Sequence, residues 1–229
     1  MEDPLNVSLV RTQSAKSDVS TKIGGSIDLG ENPHLWYSRD TAAEGQFREA
    51  FPWFDRVRHL FTTIPDGATI LDVGSNTGGM GERLLRERIG ITVDGIDLAA
   101  HLLLLAKAKG YRTVWHGKGE ALPCLDGAYD VVVMSEFLEH CEDPLACIRE
   151  AYRVLRPGGM LLGDVPTWYG KWGYRSIRGH KWHRRVLTRR CLWALLYFRF
   201  SVDYIRPEPR WPTRHLWVPQ WYTFRGQRR

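Results

Sequence analysis

Short strand-like runs alternate with helix-like segments between residues 68 and 165, and this alternation limits the fold more than any other feature of the 229-residue chain. The helical segments read GMGERLLRER, AAHLLLLAKAKG and PLACIREAYRVLRPGG, of which Gly110 closes the second and Pro157-Gly158-Gly159 follows the third as a stop signal. Strand, helix and strand joined by short links predict a parallel sheet covered on both faces. The strand runs are residues 69–73, 92–97, 112–116, 129–135 and 160–165.

The rest of the chain completes this architecture. Residues 1–30 are poor in large apolar side chains and are expected to be a mobile segment, whereas residues 31–66 carry aromatics at helical spacing and are expected to form a helical lid. A helix is predicted over 188–198, and the apolar runs 201–205 and 215–224 predict strands near the sheet edge. The expected fold of residues 67–229 is therefore α/β, Rossmann-like and doubly wound, with a mostly parallel seven-stranded sheet.

Composition excludes several classes of protein. The most apolar run of the second half, CLWALLYF, is too short to cross a bilayer, and the acidic start MEDPLNVSLV does not resemble an export signal, so a cytoplasmic location is expected. The four cysteines form no CxxC pair and are expected to be small buried hydrophobic residues.

Charge is distributed unevenly along the chain. Residues 164–229 contain 15 Lys and Arg against three acidic residues, together with seven of the ten tryptophans. A basic, Trp-rich loop is expected at about 166–187, where aromatic and cationic side chains could hold a flat or acidic acceptor. The same composition fits nucleic acid, because aromatics stack on bases and cations meet phosphates.

The stretch LDVGSNTGG, residues 71–79, indicates the kind of ligand. A Walker-type loop needs a lysine and a hydroxyl after its last glycine, but Gly79 and Met80 follow Gly78. A dinucleotide turn needs a second glycine where Asn76 stands. A nucleoside cofactor without a pyrophosphate needs neither, but it needs a carboxylate at the end of the next strand, where Asp97 stands. The alternative is that Asp97 only caps the helix that begins near Ala99.

Four blocks of the sequence resemble the class I S-adenosylmethionine-dependent methyltransferases, in particular the group around the ubiquinone-biosynthesis O-methyltransferases. The blocks are ILDVGSNTGG, VDGIDLA, GKGEALPCLDGAYDVVVMSEFLEH and REAYRVLRPGGML. The resemblance implies S-adenosyl-L-methionine as cofactor and S-adenosyl-L-homocysteine as product. The glycine turn then faces the methionine part, Asp97 holds the ribose, Gly119 and Glu120 flank the adenine, and Ser135 lies beside the sulfonium. Many relatives have an Asp for the adenine amino group where this chain has Lys118.

The cofactor-binding residues expected from the blocks are Asp72, Gly74, Ser75, Asn76, Gly78, Asp97, Leu98, Gly119, Glu120 and Ser135. Tyr37 and Arg39 are expected to join them from the lid, with packing of an amphipathic helix as the alternative. His140, which follows the fourth strand, and His180 and His183 in RGHKWHRR are the candidate general bases. Their alternatives are a loop-capping histidine and a solvated basic loop.

Glu136, Glu139 and His140 form the pattern E-x-x-E-H, which some ubiquinone O-methyltransferases use for a divalent metal. The same letters are structural in other relatives, and no metal is expected here. The expected reaction is O-methylation of a small-molecule metabolite, with anionic and glycosylated acceptors included. The alternatives are N-methylation of a small molecule, methylation of tRNA or rRNA, and a non-catalytic protein that kept the cofactor fold.

Overall fold

The computed structural model describes residues 58–167, 183–209 and 219–229, all of which belong to the unit Asn32–Arg229. The expected mobile segment 1–30 lies outside the described residues, as do most of the expected lid and of the basic loop. Residues 58–61, at the end of the expected lid, are helical. Leu60, Phe61 and Ile64 are buried in the core.

Seven strands form one sheet, in the order β3-β2-β1-β4-β5-β7-β6. Strand β7 is antiparallel to both of its neighbours, and the other adjacent strands pair in parallel. The expected fold class is confirmed. The strands are β1 Thr69–Val73, β2 Thr92–Asp97, β3 Thr113–His116, β4 Tyr129–Ser135, β5 Leu155–Pro166, β6 Phe200–Pro209 and β7 Pro219–Arg228.

Besides the helical residues 58–61, the described ranges contain four helices that cover the sheet: α1 Gly79–Glu87, α2 Ala100–Ala108, α3 Pro144–Val154 and α4 Arg189–Tyr197. Two of them start at side-chain caps that the sequence contains. Asp143 accepts hydrogen bonds from the backbone N–H groups of Leu145 and Ala146, and Thr188 accepts one from Cys191. Within the described ranges, no helix is both long enough and apolar enough to cross a membrane.

Alternating side chains of the strands divide the core between the two faces of the sheet. Ile70 of β1 packs in the cluster that includes Leu84 of α1 and Ala106 of α2. Leu71, the next residue, packs in the cluster that includes Ile148 of α3 and Leu192 of α4. Strands with both faces buried explain why the runs TILDV and YDVVVMS are nearly continuously apolar.

Two element boundaries differ from the sequence-based expectation. Helix α3 ends at Val154, and β5 already begins at Leu155, so Pro157, Gly158 and Gly159 lie within a strand and are not the stop signal of the helix. Pairing of Leu155 with Tyr129, next to an irregularity in the β4–β5 register, extends the strand backwards. Strand β7 begins at Pro219, inside the expected run 215–224, and extends to Arg228, because β5 and β6 pair with this part of the chain.

The strand order reverses at β1, which has β2 on one side and β4 on the other. The chain builds outward through β2 and β3 and then returns to β4. In open parallel sheets a ligand crevice forms at such a point, outside the carboxyl ends of the strands. The turns that follow β1, β2, β3 and β4 therefore meet at one edge of the sheet.

Candidate active site

A cleft lies at this edge and is built mainly from the four turns. Predicted cofactor residues that line it are Gly74, Asp97, Leu98, Gly119 and Glu120, and the predicted base His140 also lines it. Among the described residues, Asp72, Ser75, Asn76, Gly78 and Ser135 are not part of its lining. The remaining lining residues, which sequence reasoning did not select as binding residues, are Val73, Ile96, Gly117, Lys118, Phe137, Cys141, Glu142 and Arg184.

The turn after β1 needs unusual backbone angles at three positions. Gly74 and Gly78 have φ 81° and Asn76 has φ 48°, all in the left-handed region. Asparagine is among the few residues that tolerate this region, which explains how Asn76 replaces a glycine here. Its side-chain Oδ1 accepts a hydrogen bond from the N–H of Thr77 at 2.7 Å, so the turn is locally braced.

Asp97 joins the turn after β1 to the start of α2. Its Oδ2 accepts a hydrogen bond from the N–H of Asn76 at 2.8 Å, and its Oδ1 accepts one from the N–H of Ala99 at 2.8 Å. The bond to Ala99 stops at the residue before α2, and that helix has no side-chain cap hydrogen bond, so Asp97 does not cap it as the alternative expected. Each carboxylate oxygen has a second lone pair, and Asp97 lines the cleft, so hydroxyl groups of a ligand could still donate to it. Burial raises the pKa of the Asp97 carboxyl.

Asp72 lies near the end of β1, just before the turn, and contacts Tyr111. The side chain is buried, and its Oδ2 accepts a hydrogen bond from the hydroxyl of Tyr111 at 2.5 Å. Burial raises the pKa of Asp72 to about 7, with a contribution from the nearby charge of Asp97 and against the hydrogen bond from Tyr111. The Tyr111 hydroxyl also accepts from the N–H of Gly81 at 2.9 Å. Asp72 was expected to bind cofactor. Its carboxylate accepts the hydrogen bond from Tyr111, and Asp72 is not among the residues that line the cleft.

Glu120 is held by the chain just before α3. Its Oε1 accepts hydrogen bonds from the N–H groups of Glu142 at 2.7 Å and Asp143 at 3.3 Å. Across the same part of the cleft, Lys118 Nζ lies 3.2 Å from Glu142 Oε2. The position where relatives carry an Asp is thus occupied by a cation that pairs with Glu142.

Two polar side chains at the end of β4 are engaged with neighbouring strands. The Ser135 hydroxyl donates to Oδ1 of Asp164, which is buried on β5. Glu136 accepts a hydrogen bond from the indole N–H of Trp221 on β7. Both contacts direct these side chains towards the β5–β7 side of the sheet.

His140, Glu139 and His183 form a cluster beside the cleft. Nε2 of His140 lies 3.7 Å from Oε1 of Glu139, whose side chain is fully buried. The rings of His140 and His183 meet edge to face with centroids 4.6 Å apart. One ligand-type atom of each residue lies within 4.8 Å of the other two. Of the E-x-x-E-H pattern, therefore, Glu139 and His140 are in this cluster, and His183 joins them from a distant part of the chain.

Arg185 fixes the segment that carries His183. Its guanidinium donates to the carbonyl oxygens of Leu138 at 3.3 Å, of Glu142 at 2.9 Å and of Cys141. The backbone N–H of Arg184 donates to the carbonyl of Glu139 at 3.0 Å. Sequence reasoning treated these arginines only as part of a basic loop, because carbonyl partners more than 40 residues away leave no local signal.

Comparison with known proteins identifies the domain. The family model described as a methyltransferase domain matches residues 71–163, the stretch that contains the glycine turn, Asp97 and His140. Residues 71–163 therefore match a methyltransferase domain. The resemblance to methyltransferases that the four sequence blocks carry is confirmed.

The matches to individual relatives cover only part of each relative's length. A ubiquinone biosynthesis O-methyltransferase of Sodalis glossinidius is 37% identical over 132 residues, which are 54% of this chain and 51% of that protein. A demethylmenaquinone methyltransferase of Bacillus licheniformis is 31% identical over 162 residues, 68% of this chain and 62% of that protein. The chain spans about half the length of the first curated relatives that it matches.

The methyltransferase fold is also found among solved structures. A structure from Thermotoga maritima, named as a SAM-dependent methyltransferase and "possible histamine N-methyltransferase", superposes with a TM-score of 0.69 at 18% identity. The match covers 85% of this chain and 100% of that one. At this identity the similarity shows the fold.

Three of the predicted site residues fall in parts of the chain that the structure does not describe. Tyr37, Arg39 and His180 lie outside the described residues. Phe137 and Tyr111 were missed as parts of the site. Phe137 stands inside the SEFLEH block and could have been found from its place after the fourth strand, whereas nothing near Tyr111 in the sequence indicates its contact with Asp72.

Proposed function

We propose that this chain transfers the methyl group of S-adenosylmethionine to an oxygen of a small-molecule acceptor and releases S-adenosylhomocysteine. One observation carries the proposal: His140, with Glu139 and His183 beside it, lines the same cleft as the glycine turn and Asp97. A neutral hydroxyl is a weak nucleophile that attacks as its proton is removed, whereas a neutral amine is nucleophilic enough to attack before it loses a proton. A histidine at the cleft therefore favours an oxygen acceptor, as does the name of the Sodalis relative.

The residues present fit the cofactor. Backbone groups of the turn at Gly74 would meet the methionine part, the outer lone pairs of Asp97 would accept from the ribose hydroxyls, and Leu98 and Gly119 would flank the adenine. Ser135 and Asp72 would support this arrangement through Asp164 and Tyr111. The cofactor, when bound, supplies an electrophilic methyl group on a sulfonium.

His140 would accept the proton of the acceptor hydroxyl while the oxygen forms its bond to the methyl carbon. Electrons of the broken carbon–sulfur bond remain on sulfur, which becomes a neutral thioether. Glu139 would orient the imidazole and stabilise its cationic form, since its carboxylate lies 3.7 Å from Nε2. Holding the two reactants in line in a closed cleft supplies most of the rate.

Replacement of the base tests this role. In the variant His140→Gln, turnover is expected to fall about a hundredfold or more, because general base catalysis typically contributes 10²- to 10⁴-fold. His116→Gln is the matched control, since its side chain is exposed and does not line the cleft. Unchanged turnover in His140→Gln, with full turnover in the control, would exclude the base.

The histidine and glutamate cluster also has the ligand types of a divalent metal site. We favour the acid–base role, in which no metal takes part. Dialysis of the active protein against EDTA is then expected to leave turnover unchanged. Loss of turnover that added Mg²⁺, Mn²⁺ or Zn²⁺ restores would show that the cluster holds a metal instead.

The acceptor class can be found by labelling. Incubation with methyl-labelled S-adenosylmethionine and a cell extract is expected to place the label in the small-molecule fraction, on an alkali-stable ether. Label on an amine would favour the N-methyltransferase alternative, and label that ribonuclease releases from the polymer fraction would favour tRNA or rRNA. Cofactor binding with no labelled product in any fraction would favour a non-catalytic protein.

A further inference from the structure

The ring of Phe137 lies between two glycines at the centre of the cleft. A Cβ atom built on Gly74 would lie 2.8 Å from Cδ2 of Phe137, and one built on Gly119 would lie 2.5 Å from its Cζ. Gly74 faces the Cβ, Cγ and Cδ2 side of Phe137, whereas Gly119 faces its Cζ and Cε1 atoms. The ring therefore spans the gap between the turn after β1 and the turn after β3, and it fits only because both positions lack a side chain.

The sheet order shows what this gap contains. Strand β2 lies between β1 and β3, and Asp97 is its last residue. The ring of Phe137 thus bridges the turns on either side of the strand that ends in the proposed ribose acid. In the cofactor the sulfonium is bonded directly to the C5′ carbon of that ribose. A ribose held by Asp97 would therefore bring the sulfonium into the cleft that Phe137 also lines.

The charged side chains that line the cleft already have partners within the protein. Lys118 and Arg184 line the cleft, and both pair with Glu142. The other acids that line it, Asp97 and Glu120, accept hydrogen bonds from backbone N–H groups. A cationic ligand centre needs a further source of negative potential, which the face of an aromatic ring provides.

We propose that Phe137 lets this cleft prefer cationic S-adenosylmethionine over its neutral product, S-adenosylhomocysteine, through a cation–π contact with the sulfonium. This inference rests on the proposed placement of the cofactor. Because the ring would favour the charged ligand, the neutral product would lose this contact once the methyl group has been transferred.

Titration calorimetry with three ligands tests the proposal. The ligands are S-adenosylmethionine, S-adenosylhomocysteine and sinefungin, which carries an ammonium group near the sulfonium position. In Phe137→Leu, which keeps much of the bulk, the Kd values of the two cationic ligands are expected to rise about 2- to 30-fold relative to that of S-adenosylhomocysteine. Phe137→Tyr keeps the ring and is expected to keep the wild-type ratio.

A second variant moves the ring without removing it. Gly119→Ala would place a methyl group against Cζ of Phe137 and is expected to raise the Kd of the cationic ligands relative to that of S-adenosylhomocysteine as well. Circular dichroism and thermal unfolding establish that each variant is folded. Equal weakening of all three ligands, equal tightening or no change in Phe137→Leu would each overturn the proposal. Wild-type protein that binds none of the three would instead overturn the proposed function.

Discussion

The carboxylate of Asp97 has a structural task and a proposed binding task. Its two oxygens hold the N–H groups of Asn76 and Ala99, and these bonds join the first glycine turn to the start of α2. A carboxylate oriented by two backbone groups is preorganised to accept from two adjacent hydroxyls. The sequence alone left ribose binding and helix capping as alternatives; the bond to Ala99 lies before α2, which has no side-chain cap, and the geometry leaves ribose binding possible.

Replacement of Asp97 by Ala is expected to weaken binding of S-adenosylhomocysteine by roughly 1.5 to 3 kcal/mol, the usual contribution of a hydrogen bond to a charged group. Titration calorimetry measures the loss. Asp126→Ala, at an exposed position away from the cleft, serves as the control. Retained affinity in Asp97→Ala would mean that another residue holds the ribose.

Asp72 is expected to make stability depend on pH. Its pKa is raised to about 7 from an ordinary value of 3.8, so the folded protein binds a proton that the unfolded chain has released between these values. The free energy of unfolding should therefore decrease as pH rises from 4 through 7. Urea unfolding at pH 5 and pH 7 should show a smaller decrease in Asp72→Asn than in the wild type or in the exposed control Asp66→Asn. An equal decrease in all three would contradict the assignment to Asp72.

At the scale of elements, the segment 183–188 attaches one histidine of the cluster to the turn that carries the other. Arg185 binds three carbonyl groups of the turn 138–142, and this contact places His183 against His140. Periodicity predicted the helix that follows this segment, because helix patterns are local. It could not predict the clamp, because a guanidinium that recognises carbonyl groups of a distant turn has no spacing signature.

The variant Arg185→Ala is expected to release this segment. The N–H of Arg184, which donates to Glu139, should then exchange its hydrogen about tenfold faster or more, since several hydrogen bonds to a charged group are lost. Hydrogen-exchange mass spectrometry of the peptide that contains residues 183–188 provides the measurement. Arg184→Ala, which removes a side chain outside the clamp, should leave the rate nearly unchanged. Equal rates in Arg185→Ala and wild type would exclude the clamp.

At the scale of the whole molecule, the sequence predicted the sheet, its helices and several of the residues that line the cleft. Apolar runs that are buried on both faces, such as TILDV and YDVVVMS, define the strands wherever they occur. The interior support by Tyr111 and the ring of Phe137 depend on which turns meet in space. They became apparent only once the strand order was known.

The basic second half of the chain raises the question of nucleic acid at this scale. A small-molecule enzyme is expected to show no complex with tRNA whose affinity depends steeply on salt. Filter binding between 50 and 200 mM KCl measures this. A complex that loses about 10³-fold or more in affinity over this range would indicate many phosphate contacts and favour the RNA alternative.

The central claim is that the turns after β1 and β2 form one nucleoside site at the point where the strand order reverses. A crystal structure with S-adenosylhomocysteine tests it most directly. The account predicts the ligand in this cleft, with ribose hydroxyls about 3 Å from the Asp97 carboxylate and the sulfur beside Phe137. A ligand bound elsewhere, or an Asp97 carboxylate turned away from the ribose, would contradict it.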